Sequence, residues 1–440
     1  MINSLKKILL NLLFALLLSN YCQAQAPNPA LIGYFHNWQD VNAPYIPLDA
    51  IDNRYNIIDV AFAIPQAGTD YKMQFIPDQV SSATFIAQMQ TLQAQGKKVL
   101  ISIGGATAPI SLDNTTERDT FISTLTNIIN FYGFDGLDID LEGSSFSVSG
   151  GTIASPVDQP IINLIYAIKQ IMANFYASNG HQLILTMAPE TAFVQGGQSA
   201  FGGIWGAYLP AINALSDSLQ ILHVQLYNSG SMYGIDGGVY TQGTADFIVA
   251  MTEAVIQGFS TSGGNFPGLP ASKVAVGLPA CPMAAGGGFT DSNLVIAAIK
   301  YLMGQGPQPG NYTLLNPTGY PQLRGMMTWS INWDAVSTCN NVYEYASTYQ
   351  QIFETTVGNQ SLNKNILNLS IAPNPATDNL QVYFNTNQTK ALNYKIVNIY
   401  GQTMDAGIVT QNSKSIDISS LSQGFYFFKT PNETIKFTKF

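Results

Sequence analysis

A chain of 440 residues is long enough for one large barrel plus a small module, or for two or three average domains. Its formal net charge of −9, with 10% charged and 46% hydrophobic residues, describes a lightly charged surface without clustered Lys and Arg, which argues against nucleic acid as a partner. His36, His181 and His223 are scattered and the cysteines lie far from them, so no metal site and no cofactor are expected. The chain opens with Lys6 and Lys7, the apolar run Ile8–Leu18, and small residues at Ala24 and Ala26 spaced as a cleavage site. That pattern predicts a secretory leader over residues 1–26, with an apolar run too short to span a bilayer. Ser19, Asn20 and Tyr21 are a poor match to the small apolar residues that precede a lipidated cysteine at position 22. The mature chain then keeps Cys281 and Cys339, which in an oxidising compartment could form one disulfide or stay as two thiols.

From residue 27 to 355 one theme repeats: a short apolar, β-prone run, a loop with Gly, Pro, Asn or Asp, then a stretch of helical periodicity. The runs are Leu31–Phe35, Ile57–Ala63, Lys98–Ile103, Phe134–Asp140, Leu183–Ala188, Leu222–Tyr227, Val274–Leu278 and Gly325–Ser330. Several are apolar on both faces, as parallel strands covered on both sides must be. Helices are expected between them, for example over Ser82–Gln95, Thr116–Tyr132 and Ile161–Tyr176. Such a series predicts an α/β fold, a closed (β/α)8 TIM barrel, whose active site lies at the C-terminal ends of the strands. Beyond a linker over residues 356–365, short runs of period-two alternation such as Leu380–Phe384, Tyr394–Tyr400 and Gly424–Lys429 predict a small all-β sandwich over residues 366–440.

The fourth run carries the chemistry. Asp135, Asp138, Asp140 and Glu142 are interleaved with Leu137, Ile139 and Leu141, so on a strand the last three acids share one face and the apolar residues the other. In a barrel the apolar face packs under the helices and the acids point inward and up toward the mouth. Neighbouring carboxylates there cannot all ionise: at least one proton should be shared among them, and a raised pKa on the outermost acid is what general acid catalysis at a glycosidic oxygen requires. A solvated charge run would not alternate with Leu and Ile, and a calcium loop would carry polar residues and Gly between its acids. Asp135 is out of phase and precedes Gly136, which fits a structural role at the strand start.

The run Asp135–Glu142 matches the DxxDxDxE signature of glycoside hydrolase family 18, and Ser102–Gly105 matches that family's SxGG motif. Met187–Glu190, Gln225–Asn228 and Met327–Trp333 extend the resemblance, which is closest to the bacterial chitinases with a Gln-x-Tyr-Asn motif. The resemblance implies hydrolysis of β-1,4 linkages between N-acetylglucosamine units, in chitin or its oligosaccharides, by substrate-assisted retention, an exception to the two-carboxylate scheme. Glu142 would be the general acid/base, Asp140 would orient the acetamido group, Asp138 would hold or share its proton, and Tyr227 would donate to the acetamido carbonyl. Tyr34, Phe62, Gly105, Met187, Gln225, Asn228 and Trp329 match family positions that line the substrate pocket. Many members carry Asp where this chain has Asn228. His181 and His223 are expected to be packed structural residues, and the tryptophans Trp38, Trp205, Trp329 and Trp333 all fall toward one mouth of the barrel.

Residues Ile371–Leu380, Val397–Gln402 and Leu421–Tyr426 resemble the C-terminal sorting domain of the type IX secretion system. That implies export through the periplasm, with the type IX machinery as a partner and an extracellular or cell-surface location. A carbohydrate-binding sandwich is the rival for this module. For the barrel the rivals are a chitinase-like lectin, which would have lost the acid, and an endo-β-N-acetylglucosaminidase, which would share Glu142. A monomer is expected. The short, glycine-rich segments after the fourth and seventh runs lean toward a shallow groove and endo action.

Overall fold

The computed structural model describes residues 25–339, 341–353, 369–384, 392–398, 402–410, 415–430 and 434–440. Residues 1–24 of the expected leader and the expected linker 356–365 lie outside the described residues. The chain divides into two compact units, Met1–Val357 and Gly358–Phe440.

The first unit is a parallel barrel. Its strands are β1 (Ala30–His36), β2 (Ile57–Pro65), β3 (Lys98–Gly104), β4 (Gly136–Asp140), β5 (Ile184–Met187), β6 (Ile221–Leu222), β7 (Ala275–Pro279) and β8 (Gly325–Trp329). They pair in the order β7-β8-β1-β2-β3-β4-β5-β6, and the bridges Leu222↔Val274 and Gln225↔Gly277 close the ring. The strands are apolar on both faces because both faces are covered. Ala30, Ile32, Ile57, Leu100, Ile184 and Met327 pack inside, while Leu31, Val60, Val99, Ile101, Leu137 and Ile139 pack outward under the helices. The sixth run differs from its expected extent, since regular pairing covers only Ile221–Leu222. Pro189 on the neighbouring segment has no N–H to give, so the ladder thins there. Single bonds from His223 N–H to Met187 O, Gln225 N–H to Pro189 O and Leu226 N–H to Gly277 O, each 2.9 Å, carry the strand on to the mouth.

The helices show why these residues coil. Helix α1 (Ser82–Ala94) starts where Ser81 Oγ accepts the Thr84 N–H at 3.1 Å. Helix α2 (Thr115–Tyr132) starts at Asn114, whose Oδ1 accepts from Thr116 and Glu117, and ends at Gly133 with φ 82°. Its buried stripe of Phe121, Leu125, Ile128, Ile129 and Tyr132 follows the helical repeat. Burying each such side chain stabilises by roughly 2 kcal/mol. Helix α3 runs Gln159–Asn179, longer than the expected Ile161–Tyr176, because Pro160 suits its first turn and Gly180 caps its end. A disulfide joins Cys281, past β7, to Cys339, past β8, so two loops of the same rim are tied together.

The second unit is built from antiparallel sheets. Leu369–Ala372, Asn379–Phe384 and Ser415–Asp417 form one; Leu392–Asn398, Thr403–Val409, Gly424–Lys429 and Thr434–Lys439 form the other. Leu380, Val382 and Ile416 of the first meet Ile396, Val409, Phe428 and Phe437 of the second in one core, which makes a sandwich.

Candidate active site

Strand pairing places the acids. Asp138 on β4 lies beside Ser102 of β3 and Thr186 of β5, and Asp140 beside Gly104. Leu137, Ile139 and Leu141 are buried on the helix side, Asp138 and Asp140 are buried inside the barrel, and Glu142, past the strand end, is half-buried. Asp135 sits apart: its carboxylate accepts the Val99 N–H and the Gln93 carboxamide, both at 2.9 Å, and so fastens the foot of the strand.

Each acid has a distinct environment. Asp138 Oδ2 accepts from Tyr34 Oη at 2.6 Å and Ser102 Oγ at 2.7 Å, and its Oδ1 accepts from Thr186 Oγ1 at 2.6 Å. Burial pushes its carboxyl up, but His223 beside it and the hydroxyls of Ser102 and Thr186 outweigh that and hold it below the usual carboxylate range. Asp140 goes the other way. Burial, then the charges of Glu142 and Asp138, push its carboxyl well above the usual range, so it keeps a proton and shares it with Glu142. The Gln225 carboxamide bridges the pair, with Nε2 2.8 Å from Asp140 Oδ1 and 3.0 Å from Glu142 Oε1, and also donates to Ala188 O at 3.0 Å. Tyr227 is buried next to these acids. Its hydroxyl has no partner among the described residues, and burial with the charges of Asp140 and Glu142 keeps it protonated, as a donor.

The rim is aromatic. Phe62 stacks on Trp329 with ring centroids 6.0 Å apart, and Tyr34 lies 5.5 Å from the same indole, so the hydroxyl that holds Asp138 belongs to a ring packed on Trp329. Trp38 completes the wall, 6.4 Å from both Phe62 and Trp329. A groove of about 520 Å³ runs along these rings, bordered also by Asn37, Asp78 and Thr107. Gly105 has φ 76°, and a Cβ there would sit 2.8 Å from Phe62 Cε2, so the backbone turn and the close approach of Phe62 both need glycine. A second cavity of about 460 Å³ opens at the opposite end, between Lys273, Arg324, Asp217 and Gln220, and none of Asp138, Asp140 and Glu142 lines it.

Most residues predicted for the site are therefore together. Tyr34, Asp138, Asp140, Glu142, Gln225 and Tyr227 form one connected group, Met187 ends β5 fully buried, and Phe62, Gly105 and Trp329 form its wall. Asn228 stands apart: it is exposed, has φ 54°, a conformation Asn tolerates, and makes none of the bonds to the acids. Trp205 is exposed and Trp333 is buried in the outer core. Reasoning from sequence missed Asp59, Thr186 and Glu190 as members of the group. Burial and the nearby charge of Glu142 raise the Glu190 carboxyl. Asp59 lies in an otherwise apolar strand, where a lone carboxylate was the available signal. Their convergence needs the barrel closed. The fold also brings one ligand atom each of Asp59, Asp138 and His223 within 4.8 Å of one another, a grouping that spacing in sequence does not show.

The sequence pattern of the glycosyl hydrolases family 18 matches residues 30–357. The chain belongs to that family. Its family 18 unit is 46% identical over 321 residues to "Chitinase Chi52" of Paenibacillus xylanexedens, covering 72% of this chain and 60% of that protein. "Chitinase ChiA" of Flavobacterium johnsoniae is 33% identical over 416 residues, covering 89% of this chain and 26% of that protein. A solved family GH18 chitinase from Chromobacterium violaceum superposes with a TM-score of 0.65 at 37% identity, covering 75% of this chain and 85% of the other. The chain spans 60% of the length of the first curated relatives it matches. The second unit matches a secretion system C-terminal sorting domain over residues 370–440, which marks the chain for export.

Proposed function

We propose that this family 18 member is a secreted chitinase that cleaves β-1,4 linkages between N-acetylglucosamine units, with Glu142 as general acid/base. The observation that carries this is the Asp140–Glu142 pair bridged by Gln225 beside an aromatic groove. The curated relatives carry chitinase names, which supports the same substrate.

In the mechanism, a pyranose ring lies on the Trp329 face with its acetamido group toward Asp140 and Tyr227. Flat rings bind the apolar faces of sugars through area and C–H contacts. Glu142 delivers the proton it shares with Asp140 to the leaving glycosidic oxygen, which leaves Asp140 a carboxylate. The acetamido oxygen then attacks its own anomeric carbon, forming an oxazolinium ion whose charge is met by Asp140, while Tyr227 donates to that oxygen. Glu142, now a carboxylate, takes a proton from the water that opens the oxazolinium, and the anomeric configuration is retained. Cellulose lacks the acetamido nucleophile and should not turn over.

The proposed organisation is a leader that the sequence bounds at residues 1–26 and the bonds of Ala26 shorten to 1–24, a catalytic barrel up to residue 355, a linker over 356–365 and a sorting module over 366–440 engaged by type IX secretion machinery. The chain acts as a monomer, and cuts within chains. The test is product release from colloidal chitin and from an N-glycoprotein, by the full chain and its Glu142→Gln variant. Chitin turnover that collapses in the variant supports the proposal. Glycan release without chitin turnover would assign an endo-β-N-acetylglucosaminidase, and binding without either would assign a lectin.

A further inference from the structure

Asp59 on β2 and His223, past β6, lie among the acids, are fully buried, and neither lines the groove. His223 Nε2 is 3.3 Å from Asp138 Oδ1 and 3.7 Å from Asp59 Oδ2. Neither contact is aligned as a hydrogen bond, and both Asp59 oxygens and both His223 nitrogens have no hydrogen-bond partner among the described residues. The groups that face the imidazole are Asp59 from β2, Asp138 from β4 and the Tyr34 ring of β1, whose centroid is 6.2 Å away. Leaving a carboxyl and an imidazole buried without hydrogen bonds costs stability, so simple packing would favour apolar side chains at both positions.

We propose that His223, together with Asp59, is a positioning residue for the reaction: it keeps Asp138 ionised, so that the proton the acids share stays in the Asp140–Glu142 pair. The proposal rests on Glu142 being the proton donor. Charge and hydrogen counting support it. Three hydroxyls donate to the two oxygens of Asp138, which suits a carboxylate and disfavours a proton on it. Burial and then the charge of Asp138 push the Asp59 carboxyl well above the usual range, so Asp59 holds a proton that His223 can take. Moving that proton from Asp59 to the imidazole breaks one O–H and forms one N–H with no change in net charge. With the proton on His223, a positive charge stands 3.3 Å from Asp138. With it on Asp59, the cluster still carries a single negative charge, at Asp138. In both arrangements the proton needed at the glycosidic oxygen is left one level higher in the barrel.

The experiment is the pH profile of kcat/KM on a soluble chitooligosaccharide, for the full chain and its His223→Gln and Asp59→Asn variants. In His223→Gln, Asp138 is no longer held down and takes up a proton as the pH falls. The acidic limb should therefore move to higher pH, with kcat down about tenfold and KM little changed. Asp59→Asn should leave the acidic limb at or below its original pH. A uniform loss of rate in His223→Gln with both limbs in place would overturn the proposal, since it marks a packing role alone. Should that variant fail to fold, the carboxyl ¹³C resonance of Asp138 in the unmodified chain provides the second reading. It should stay that of a carboxylate through the acidic limb, and a protonation shift at a pH above that limb would overturn the proposal. A stoichiometric divalent ion in the purified protein, with activity lost on chelation, would also overturn it. Full activity in Glu142→Gln would instead sink the proton-donor assignment, whatever His223 does.

Discussion

The carboxamide nitrogen of Gln225 lies 2.8 Å from Asp140 Oδ1, and the same nitrogen reaches Glu142 Oε1 at 3.0 Å. One donor from the sixth strand segment thus holds two acids of the fourth at hydrogen-bond distance, across the barrel interior. Gln225→Leu keeps the volume and removes the bridge. Its kcat on chitooligosaccharide should fall about tenfold or more while the thermal midpoint changes little, because the lost bonds orient reacting groups. An unchanged kcat would mean that the pair holds its geometry without Gln225.

Tyr34 gives Asp138 a hydrogen bond at 2.6 Å and packs its ring on Trp329. Tyr34→Phe keeps the ring and removes the donor. We expect a stability loss of about 1 kcal/mol in denaturant unfolding and an acidic limb of kcat/KM shifted upward, since an ionised Asp138 loses a donor. A limb that stays in place would show that Ser102 and Thr186 suffice.

The Cys281–Cys339 disulfide closes a loop with a sequence separation of 58. By chain entropy alone it should stabilise the folded barrel by about 4 kcal/mol. Replacing both cysteines with Ser should lower the unfolding midpoint in denaturant accordingly, and an unchanged midpoint would refute that role.

His36 is buried, with Nε2 2.8 Å from Ser330 Oγ and its ring stacked on Trp38 at 4.6 Å. Burial lowers its pKa to about 4, against the attraction of Asp40. Between about pH 4 and 6.5 the unfolded chain binds a proton at this site that the folded chain does not, so this contribution to stability rises with pH. It is fully present above about pH 6.5 and lost as the pH falls toward 4, a span of roughly 3 kcal/mol. The stability difference between the unmodified chain and His36→Asn should grow with pH across that window; a constant difference would show that His36 does not titrate there.

Ala26, at the end of the expected leader, is buried in the barrel floor. Its N–H bonds Gln220 Oε1 and its carbonyl accepts from Arg324 Nη2, each at 2.8 Å. Cleavage after Ala26 would strip both partners and leave a buried guanidinium short of an acceptor. We expect processing after Ala24, so that N-terminal sequencing or intact mass of the exported protein finds Gln25 as the first residue. A chain beginning at Pro27 would refute this.

By itself the sequence determined the period of the barrel, the face on which Asp138, Asp140 and Glu142 stand, and the alternating strands of the second unit. These are local properties: whether side chains alternate on two faces or repeat along a helix is set by residues a few positions apart. It also carried the motifs that join Ser102, Gln225 and Trp329 to those acids. Only the tertiary structure decided which acid keeps the proton. Asp138 and Asp140 are the same residue type two positions apart, yet His223 and the hydroxyls of Ser102 and Thr186 hold one ionised against its burial, while burial and Glu142 keep the other protonated. The groups responsible come from the strands around the barrel, so their distances to the acids do not exist until the ring has closed.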